Sequence, residues 1–295
     1  MIIQIMGAGA LGCLIGYLIQ KSGYNVVFVA RGKQYLALSK KLKISGLAND
    51  EIRVKVYQKP RNADITFLTV KAYDTEIAAK SLSKIDCGIV CSLQNGLNIE
   101  EILKKYLNKF LRGVTTYASY LINWGHIYYA AEGEIVIGNK SNYVDVVFDV
   151  LRSCKINVKL TDDINKKIWE KAVVNAVINP ITALCRVKNG EILKSKDLWE
   201  LARDLINECK TVAKAYGYEL KNIESTVKSV IIKTSENKSS MLQDIERGKR
   251  TEIDYINGMF SKMAKVRNLH TPINYTLTKL IKAIELKYSS NTFGK

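Results

Sequence analysis

The chain has 295 residues, of which 47% are hydrophobic and 25% are charged. This balance is typical of a globular protein with one or two cored domains, and it excludes a long disordered arm. No apolar run has the length of a membrane span, and the first residues lack the pattern of a secretory signal peptide. We therefore expect a cytoplasmic protein with no membrane partner.

The net charge and the cysteine pattern limit which ligands, macromolecular partners and metal sites are expected. The 45 Lys and Arg against 28 Asp and Glu give a net charge of +17, which suits anionic ligands or nucleic acid. The basic residues are mostly dispersed Lys without interleaved aromatics, so no nucleic-acid partner is expected, although a basic nucleic-acid binder remains an alternative. The six cysteines form no CxxC pair and only two His are present, which predicts reduced thiols and no metal site.

The first half of the chain alternates apolar runs with amphipathic segments. Runs of strand length cover 1–6, 25–30, 65–70 and 88–93, and helical patterns cover 11–23 and 75–85. Shorter strand-like pieces follow at 112–121, 126–133, 134–139 and 156–161. Near-continuous apolar strands alternating with helices indicate a parallel sheet covered on both faces. The prediction is an α/β fold, with a Rossmann-type doubly wound domain over 1–161.

From Asp162 onward the periodicity is helical, which predicts an all-helical domain over 162–295. One helix, predicted over 169–185, is apolar apart from a few polar residues. Its Lys171, Asn175 and Asn179 are four apart and so form one stripe, and Pro180 should bend the helix there. These side chains either line a cleft or, alternatively, reach solvent and neighbouring helices.

A glycine-rich segment follows the first predicted strand and opens a helix. It consists of Gly7, Ala8, Gly9, Ala10, Leu11 and Gly12, in the G-x-G-x-x-G pattern of dinucleotide-binding proteins. In that pattern the first glycine allows the turn, the second lets the backbone approach a diphosphate, and the third allows close packing of helix and strand. The segment therefore predicts a nicotinamide dinucleotide cofactor.

Residues after later strands bear on which cofactor binds. Arg31 follows the second strand, where NAD-binding sites usually carry a carboxylate, and Lys71 follows the third. Two cations favour the 2′-phosphate of NADPH, with NADH possible, although both could be ordinary surface residues. Asn95, in the loop after the fourth strand, is expected to face the ligand crevice.

The order of these motifs resembles one enzyme family over nearly the whole chain. GAGALG, VKA, QNG, KxxxNxxxNP, NGE and the run SSMLQDIERGKRTEIDYING at 239–258 together resemble the 2-dehydropantoate 2-reductases, or ketopantoate reductases. The resemblance implies a Rossmann domain with a helical domain. It also implies reduction of 2-dehydropantoate to (R)-pantoate by NADPH, on the path to pantothenate and coenzyme A.

The resemblance also implies roles for individual residues. Lys171 would be the general acid, and Glu252 matches an acidic residue near that lysine and the nicotinamide ribose. The substrate would contact Asn95, which also touches the cofactor, and a further set: Asn175, Asn179, Asn189 and Ser240, with Met241, Leu242 and Gln243 closing over it. By the same resemblance, Ser119 would belong to a cofactor-lining turn, at a position where the family often has Ala.

The remaining expectations concern the oligomeric state and two alternative functions. The resemblance suggests a homodimer acting on a small 2-oxo acid. A reductase of a different 2-oxo acid is one alternative, and an NADP-binding protein without catalysis is another.

Overall fold

The computed structural model describes residues 1–138 and 142–290. The chain divides into two compact units, Met1–Gln94 with Ile99–Ile164, and Asn95–Asn98 with the residues from Asn165 onward. Asn139, at the end of a predicted strand, and residues 291–295 of the predicted helical domain lie outside the described residues. The domain boundary between 161 and 162 stays a prediction.

Twelve strands are found in the described residues. They are β1 (Ile2–Met6), β2 (Asn25–Val29), β3 (Leu42–Gly46), β4 (Asp50–Ile52), β5 (Lys55–Tyr57), β6 (Ile65–Leu68), β7 (Ile89–Ser92), β8 (Phe110–Thr115), β9 (Ala118–Asn123), β10 (His126–Ala131), β11 (Ile135–Gly138) and β12 (Val158–Thr161).

The helices of the same residues alternate with strands in the first half and dominate the second. They are α1 (Ala10–Lys21), α2 (Gly32–Leu38), α3 (Thr75–Leu82), α4 (Ile99–Lys104), α5 (Asn142–Ser153), α6 (Ile164–Cys185), α7 (Glu191–Lys194), α8 (Lys196–Ala215), α9 (Ile223–Lys233), α10 (Ser240–Glu246), α11 (Asn257–Val266) and α12 (Pro272–Ser290).

The main sheet has the strand order β12-β11-β8-β7-β6-β1-β2-β5, and only the β8–β11 pair is antiparallel. The parallel strands from β5 to β8 follow the 3-2-1-4-5-6 order of dinucleotide-binding folds. Strand order reverses between β1 and β6, where Met6 is in register with Leu68. Ligands of such sheets bind outside the carboxyl ends at this reversal. The predicted fold class is confirmed.

Burial explains the near-continuous apolar strands. All residues of β1 after Ile2 are buried, and β6 is buried throughout. The one polar residue inside β1, Gln4, is satisfied: its Nε2 donates to Thr66 Oγ1 at 3.1 Å, and its Oε1 accepts from the Arg61 amide at 2.7 Å. In a strand with both faces covered, a polar side chain is tolerated only when its donors and acceptors are hydrogen-bonded.

A second, four-stranded sheet has the order β4-β3-β10-β9. The apolar pattern missed β3, β4 and β5, which carry several exposed or half-buried residues. The piece predicted over 112–121 also divides between β8 and β9, which belong to different sheets. Gly133 packs closely against the link between β8 and β9, since a Cβ on Gly133 would lie 2.2 Å from the Tyr117 amide nitrogen.

In the helical unit, α6 runs 22 residues and continues through Pro180. Its first half is anchored by Trp169, which is 5% exposed. The Trp169 ring centroid lies 5.5–5.9 Å from those of Tyr216, Tyr218 and Phe260. No helix among the described residues is long and apolar enough to cross a membrane.

Candidate active site

The glycine-rich loop after β1 is shaped by backbone contacts. Gly7 has φ +110°, and a Cβ there would lie 2.5 Å from the Val70 amide nitrogen. A Cβ on Gly12 would lie 2.2 Å from the Gly7 carbonyl oxygen. A Cβ on Gly9 would meet no described heavy atom within 4 Å. Two glycines are therefore required by packing, while Gly9 borders open space.

The start of α1 offers hydrogen-bond donors. Gly9 is the N-cap and supplies no side-chain cap, and the first intrahelical bond runs from the Cys13 amide to the Gly9 carbonyl at 2.9 Å. The amides of Ala10, Leu11 and Gly12 precede that bond, so helix geometry gives them no partner. Donors and helix dipole together favour an anion, and open space at Gly9 lets it approach. The loop therefore fits a dinucleotide diphosphate.

Two side chains that the sequence analysis missed fasten this loop. Thr69 Oγ1 donates to the Gly7 carbonyl at 2.8 Å. Gln34, 6% exposed, donates to the Ala8 carbonyl at 2.7 Å and accepts from the Gly125 amide at 2.9 Å. Neither residue stands out in a local pattern, because each acts on a carbonyl far away along the chain.

The two cations follow strand ends at the same sheet edge. Val29 and Leu68 are both in register with Met6, and Arg31 and Lys71 come two and three residues later respectively. Arg31 is exposed, and its guanidinium makes no hydrogen bond or ion pair within the described ranges. Lys71 is half-buried at the start of the short helix Ala72–Asp74. Arg31 thus remains available to an anionic ligand.

Gln94 precedes Asn95 and is fixed by a buried network. Its Nε2 donates to the Val70 carbonyl at 3.0 Å and to Thr75 Oγ1 at 2.7 Å. Its carbonyl accepts from Arg112 at 3.3 Å, and Arg112 also pairs with Glu100 at 2.6 Å. Burial lowers the pKa of Arg112 and the Glu100 carboxylate opposes that shift. The residue before the loop is therefore rigidly held.

Residues 95–98 belong to the helical unit. The Leu97 amide donates to the Tyr255 carbonyl at 3.2 Å. Gly96 has φ +94°, and a Cβ there would lie 2.8 Å from the same oxygen. Asn95 itself is half-buried and makes no hydrogen bond within the described residues. The close contact at Gly96 explains the Asn-Gly pair, since only glycine fits there without strain.

On α6, Lys171, Asn175 and Asn179 lie on one face, four residues apart. Lys171 and Asn175 are half-buried, whereas Asn179 is 5% exposed. The Asn179 Nδ2 atom is buried with no hydrogen-bond partner among the described residues. Buried donors without acceptors are rare and costly, so this atom is available to a polar ligand.

Asn189 also has a buried side-chain atom without a hydrogen-bond partner in the described residues, but here the atom is an acceptor. It is 6% exposed, and its Nδ2 donates to Thr234 Oγ1 at 2.9 Å. Its Oδ1 is buried without a partner in the described part of the chain. Among its described side chains the helical unit thus contains one buried unmet donor, on Asn179, and two buried unmet acceptors, on Asn189 and Asn257. Ser119 Oγ, on β9 of the other unit, is also buried and unpartnered there.

The segment from Ser239 forms the start of α10. Ser239 caps the helix by accepting from the Leu242 amide at 3.2 Å, and its Oγ is 2.7 Å from Thr182 Oγ1 of α6. Ser240 is exposed, whereas Met241 and Leu242 are 2% and 0% exposed. These two side chains therefore belong to the core, and only their backbone can approach a ligand.

Gln243 and Glu252 complete the predicted set. Gln243 is half-buried and donates to the Lys238 carbonyl at 3.1 Å. Glu252 is 6% exposed, and its carbonyl accepts from the Tyr255 amide at 2.9 Å. The neighbouring Thr251 amide donates to Glu285 at 2.7 Å, which fixes the backbone leading into Glu252.

Family models match both halves of the chain. Residues 3–142 match the model "Ketopantoate reductase PanE/ApbA", and residues 163–285 match "Ketopantoate reductase PanE/ApbA C terminal". A 2-dehydropantoate 2-reductase of Archaeoglobus fulgidus is 51% identical over 96% of this chain and 97% of its own length. This chain belongs to the ketopantoate reductase family.

Solved structures agree with this membership. A PanE/ApbA family ketopantoate reductase from Ralstonia eutropha has a TM-score of 0.92 at 26% identity, over 98% of this chain and 100% of that one. D-mandelate dehydrogenase, in a ternary structure with NADH and anilino(oxo)acetate, has a TM-score of 0.93 at 25% identity over the same shares. The family is an oxidoreductase family, and this chain has its two-part fold.

The residues expected from the resemblance to ketopantoate reductases divide between the units. The first unit contains the glycine loop, Arg31, Lys71 and Ser119. The second contains the remainder of the set: Asn95, Lys171, Asn175, Asn179, Asn189, Ser240, Met241, Leu242, Gln243 and Glu252. The cofactor set thus lies largely in one unit and the substrate set in the other.

Proposed function

We propose that this ketopantoate reductase family member reduces 2-dehydropantoate to (R)-pantoate with NADPH, in pantothenate and coenzyme A biosynthesis. The observation that carries the proposal is the stripe on α6, which ends in a buried amide donor without a partner. Relatives named 2-dehydropantoate 2-reductase, at 51% and 36% identity, support the same substrate. A cofactor domain over 1–161 and a substrate domain over 162–295 are part of the proposal.

The cofactor half of the mechanism rests on the first unit. When bound, NADPH would supply the hydride that reduces the carbonyl carbon of the substrate. The amides of Ala10, Leu11 and Gly12 would hold its diphosphate, because they are unpaired donors at a helix start. Arg31 would bind the 2′-phosphate through its N–H donors, with Lys71 as a second cation and Ser119, near the start of β9, as a further cofactor contact.

The substrate half rests on the second unit. As the carbonyl carbon accepts hydride, its oxygen gains negative charge, and the Lys171 ammonium stabilises that charge and donates the proton. Asn175 and Asn179 orient the ketone and the 4-hydroxyl, with Asn95 and Asn189 as further contacts. Ser240 receives the carboxylate at the exposed start of α10, followed by the segment Met241–Gln243. Glu252 is assigned beside Lys171 and the nicotinamide ribose.

Steady-state oxidation of NADPH with 2-dehydropantoate tests the proposal. Lys171→Ala should lower kcat by about 100-fold or more, the usual contribution of a general acid. Lys188→Ala is the matched control, because Lys188 is a half-exposed lysine paired with Glu236 at 2.7 Å. Full turnover in Lys171→Ala would refute the assigned proton donor.

A second candidate is reduction of a different 2-oxo acid. The likeness to D-mandelate dehydrogenase favours it, since that enzyme was solved with NADH and an oxoacetate. Two comparison substrates separate the candidates: 3,3-dimethyl-2-oxobutanoate, which lacks only the 4-hydroxyl, and phenylglyoxylate. A site built to bind the hydroxyl should prefer 2-dehydropantoate by about 100-fold or more in kcat/KM. Equal or better turnover of either comparison substrate would favour the second candidate.

Cofactor choice is tested separately. Arg31→Ala should raise the KM for NADPH by about tenfold, the worth of one charge-assisted contact, and leave that for NADH nearly unchanged. Lys33→Ala, on a neighbouring exposed cation, is the control. A wild-type enzyme that prefers NADH would overturn the assignment of Arg31. We further propose a cytoplasmic homodimer, which sedimentation of the purified protein and fractionation of the source cells would test.

A further inference from the structure

Pro180 leaves one carbonyl of α6 without its helical partner. In an uninterrupted helix the amide of residue 180 would donate to the carbonyl of Ala176, but proline has no N–H. Ala176 is fully buried, so water cannot replace that donor. The orphaned carbonyl lies between Asn175 and Asn179, the two amides of the stripe. A side chain that donates to this carbonyl would also hold the helix in place at the stripe.

Asn257 supplies the missing donor. It is the first residue of α11, is 0% exposed, and donates from Nδ2 to the Ala176 carbonyl at 2.9 Å. The same Nδ2 donates to Asn274 Oδ1 at 3.0 Å. Both N–H bonds of this amide are therefore used, and its Oδ1 is buried without a partner in the described residues. The contacts of this side chain are therefore made by its two donors and not by its acceptor.

A carboxylate on α8 determines which way both amides face. Glu208 accepts from Asn274 Nδ2 at 2.8 Å, so Asn274 must turn its Oδ1 away toward Asn257. Glu208 also accepts from the amides of Ile273 and Asn274, which fixes it at the start of α12. An ionised carboxylate only accepts, so the chain has a single direction: Glu208, Asn274, Asn257, Ala176.

We propose that Asn257 is a positioning residue for the substrate stripe, oriented by Asn274 and Glu208. Resting on the function proposed above, it anchors α6 at the Ala176 carbonyl, which Pro180 leaves without a helical donor, and thereby sets the directions of Asn175 and Asn179. Asn257 does not touch the substrate in this proposal. It acts through the Ala176 carbonyl, which lies in the same helix turn as both amides.

A double-mutant cycle between residues 257 and 180 tests this link. Asn257→Leu conserves most of the volume but removes both donors, and it should raise the KM for the 2-oxo acid by about tenfold, as for one lost buried hydrogen bond. Pro180→Ala restores a backbone N–H for the Ala176 carbonyl. In that background Asn257→Leu should raise the KM by only about threefold or less, since the carbonyl keeps a partner.

Three readouts keep the outcomes distinct. The Kd for NADPH should be the same in all four proteins, because the glycine loop belongs to the other unit, and it also reports that each variant is folded. If Asn257→Leu does not fold, Asn257→Ala, which also removes both donors, replaces it throughout. The four melting temperatures give the coupling between the two positions whichever 2-oxo acid the enzyme reduces.

The expected result is a KM effect that shrinks when Pro180 is replaced, with matching coupling in the melting temperatures. An unchanged KM and kcat in folded Asn257→Leu would overturn the proposal, and so would an equal loss in both backgrounds. Failure of the proposed function looks different, because wild-type enzyme would then reduce another 2-oxo acid or none. In either case the cycle of melting temperatures still tests the bond from Asn257 to the Ala176 carbonyl of α6.

Discussion

Two glycines of one loop should respond in opposite ways to the same substitution. A Cβ at Gly12 would lie 2.2 Å from the Gly7 carbonyl oxygen and 2.6 Å from Thr69 Oγ1. At Gly9 a Cβ would meet no described atom within 4 Å, and the residue has φ −76° and ψ −164°, which alanine adopts freely. Gly12→Ala should therefore destabilise the fold, and Gly9→Ala should not.

The size of each effect follows from these contacts. Overpacking a close-packed site costs about 1–3 kcal/mol, and the upper end applies to Gly12 because a main-chain oxygen cannot turn aside. The higher helix propensity of alanine offsets at most about 1 kcal/mol of this cost. Gly12→Ala should therefore lower the free energy of unfolding by about 1–2 kcal/mol and Tm by about 4 °C. Gly9→Ala should leave Tm unchanged or raise stability by up to about 1 kcal/mol, through the unfolded chain.

Cofactor affinity should show the reverse order. At Gly9 the added methyl group fills the space through which a diphosphate reaches the helix start, so the Kd for NADPH should rise at least tenfold, or about 1.4 kcal/mol. Thermal unfolding without cofactor and a fluorescence titration with NADPH measure the two quantities on the same samples. Normal NADPH binding by Gly9→Ala, or a wild-type Tm in Gly12→Ala, would refute the reasoning.

The remaining predictions concern buried groups. Arg112→Ala leaves the partly exposed Glu100 carboxylate without its cation and the Gln94 carbonyl without its donor, and should cost about 1–3 kcal/mol in urea unfolding, whereas Lys104→Ala, in a surface pair, should cost less than about 1 kcal/mol; equal losses would contradict the burial argument. Gln34→Ala should weaken NADPH binding several-fold by releasing the Ala8 carbonyl, and an unaltered Kd would remove Gln34 from the loop's supports. Burial raises the pKa of the Cys13 thiol to about 12, and Cys185 is the exposed thiol among the six. A thiol reagent at pH 8 should therefore modify one group in the folded protein, lost in Cys185→Ser, and six in denaturant; rapid modification of several would contradict this.

Local patterns of the sequence determined the fold class. Apolar runs of strand length alternating with 3.6-residue periodicity are properties of near neighbours, and they predicted the doubly wound sheet and the helical region. The glycine spacing at 7, 9 and 12 and the four-residue spacing from Lys171 to Asn179 are local in the same way. Family membership followed from the order of such motifs along the chain. The roles of individual site residues stay predictions.

Tertiary structure alone decided which polar groups support the loop and the stripe. Asn257 donates to a carbonyl 81 positions earlier, and Gln34 accepts from an amide 91 positions later. No periodicity encodes such pairs, because they depend on which helices and strands pack together. The division of residues 112–121 between two sheets has the same origin. The sequence predicted a bend at Pro180, but only the tertiary structure shows that Asn257, at the start of α11, donates to the Ala176 carbonyl that proline leaves without a helical partner.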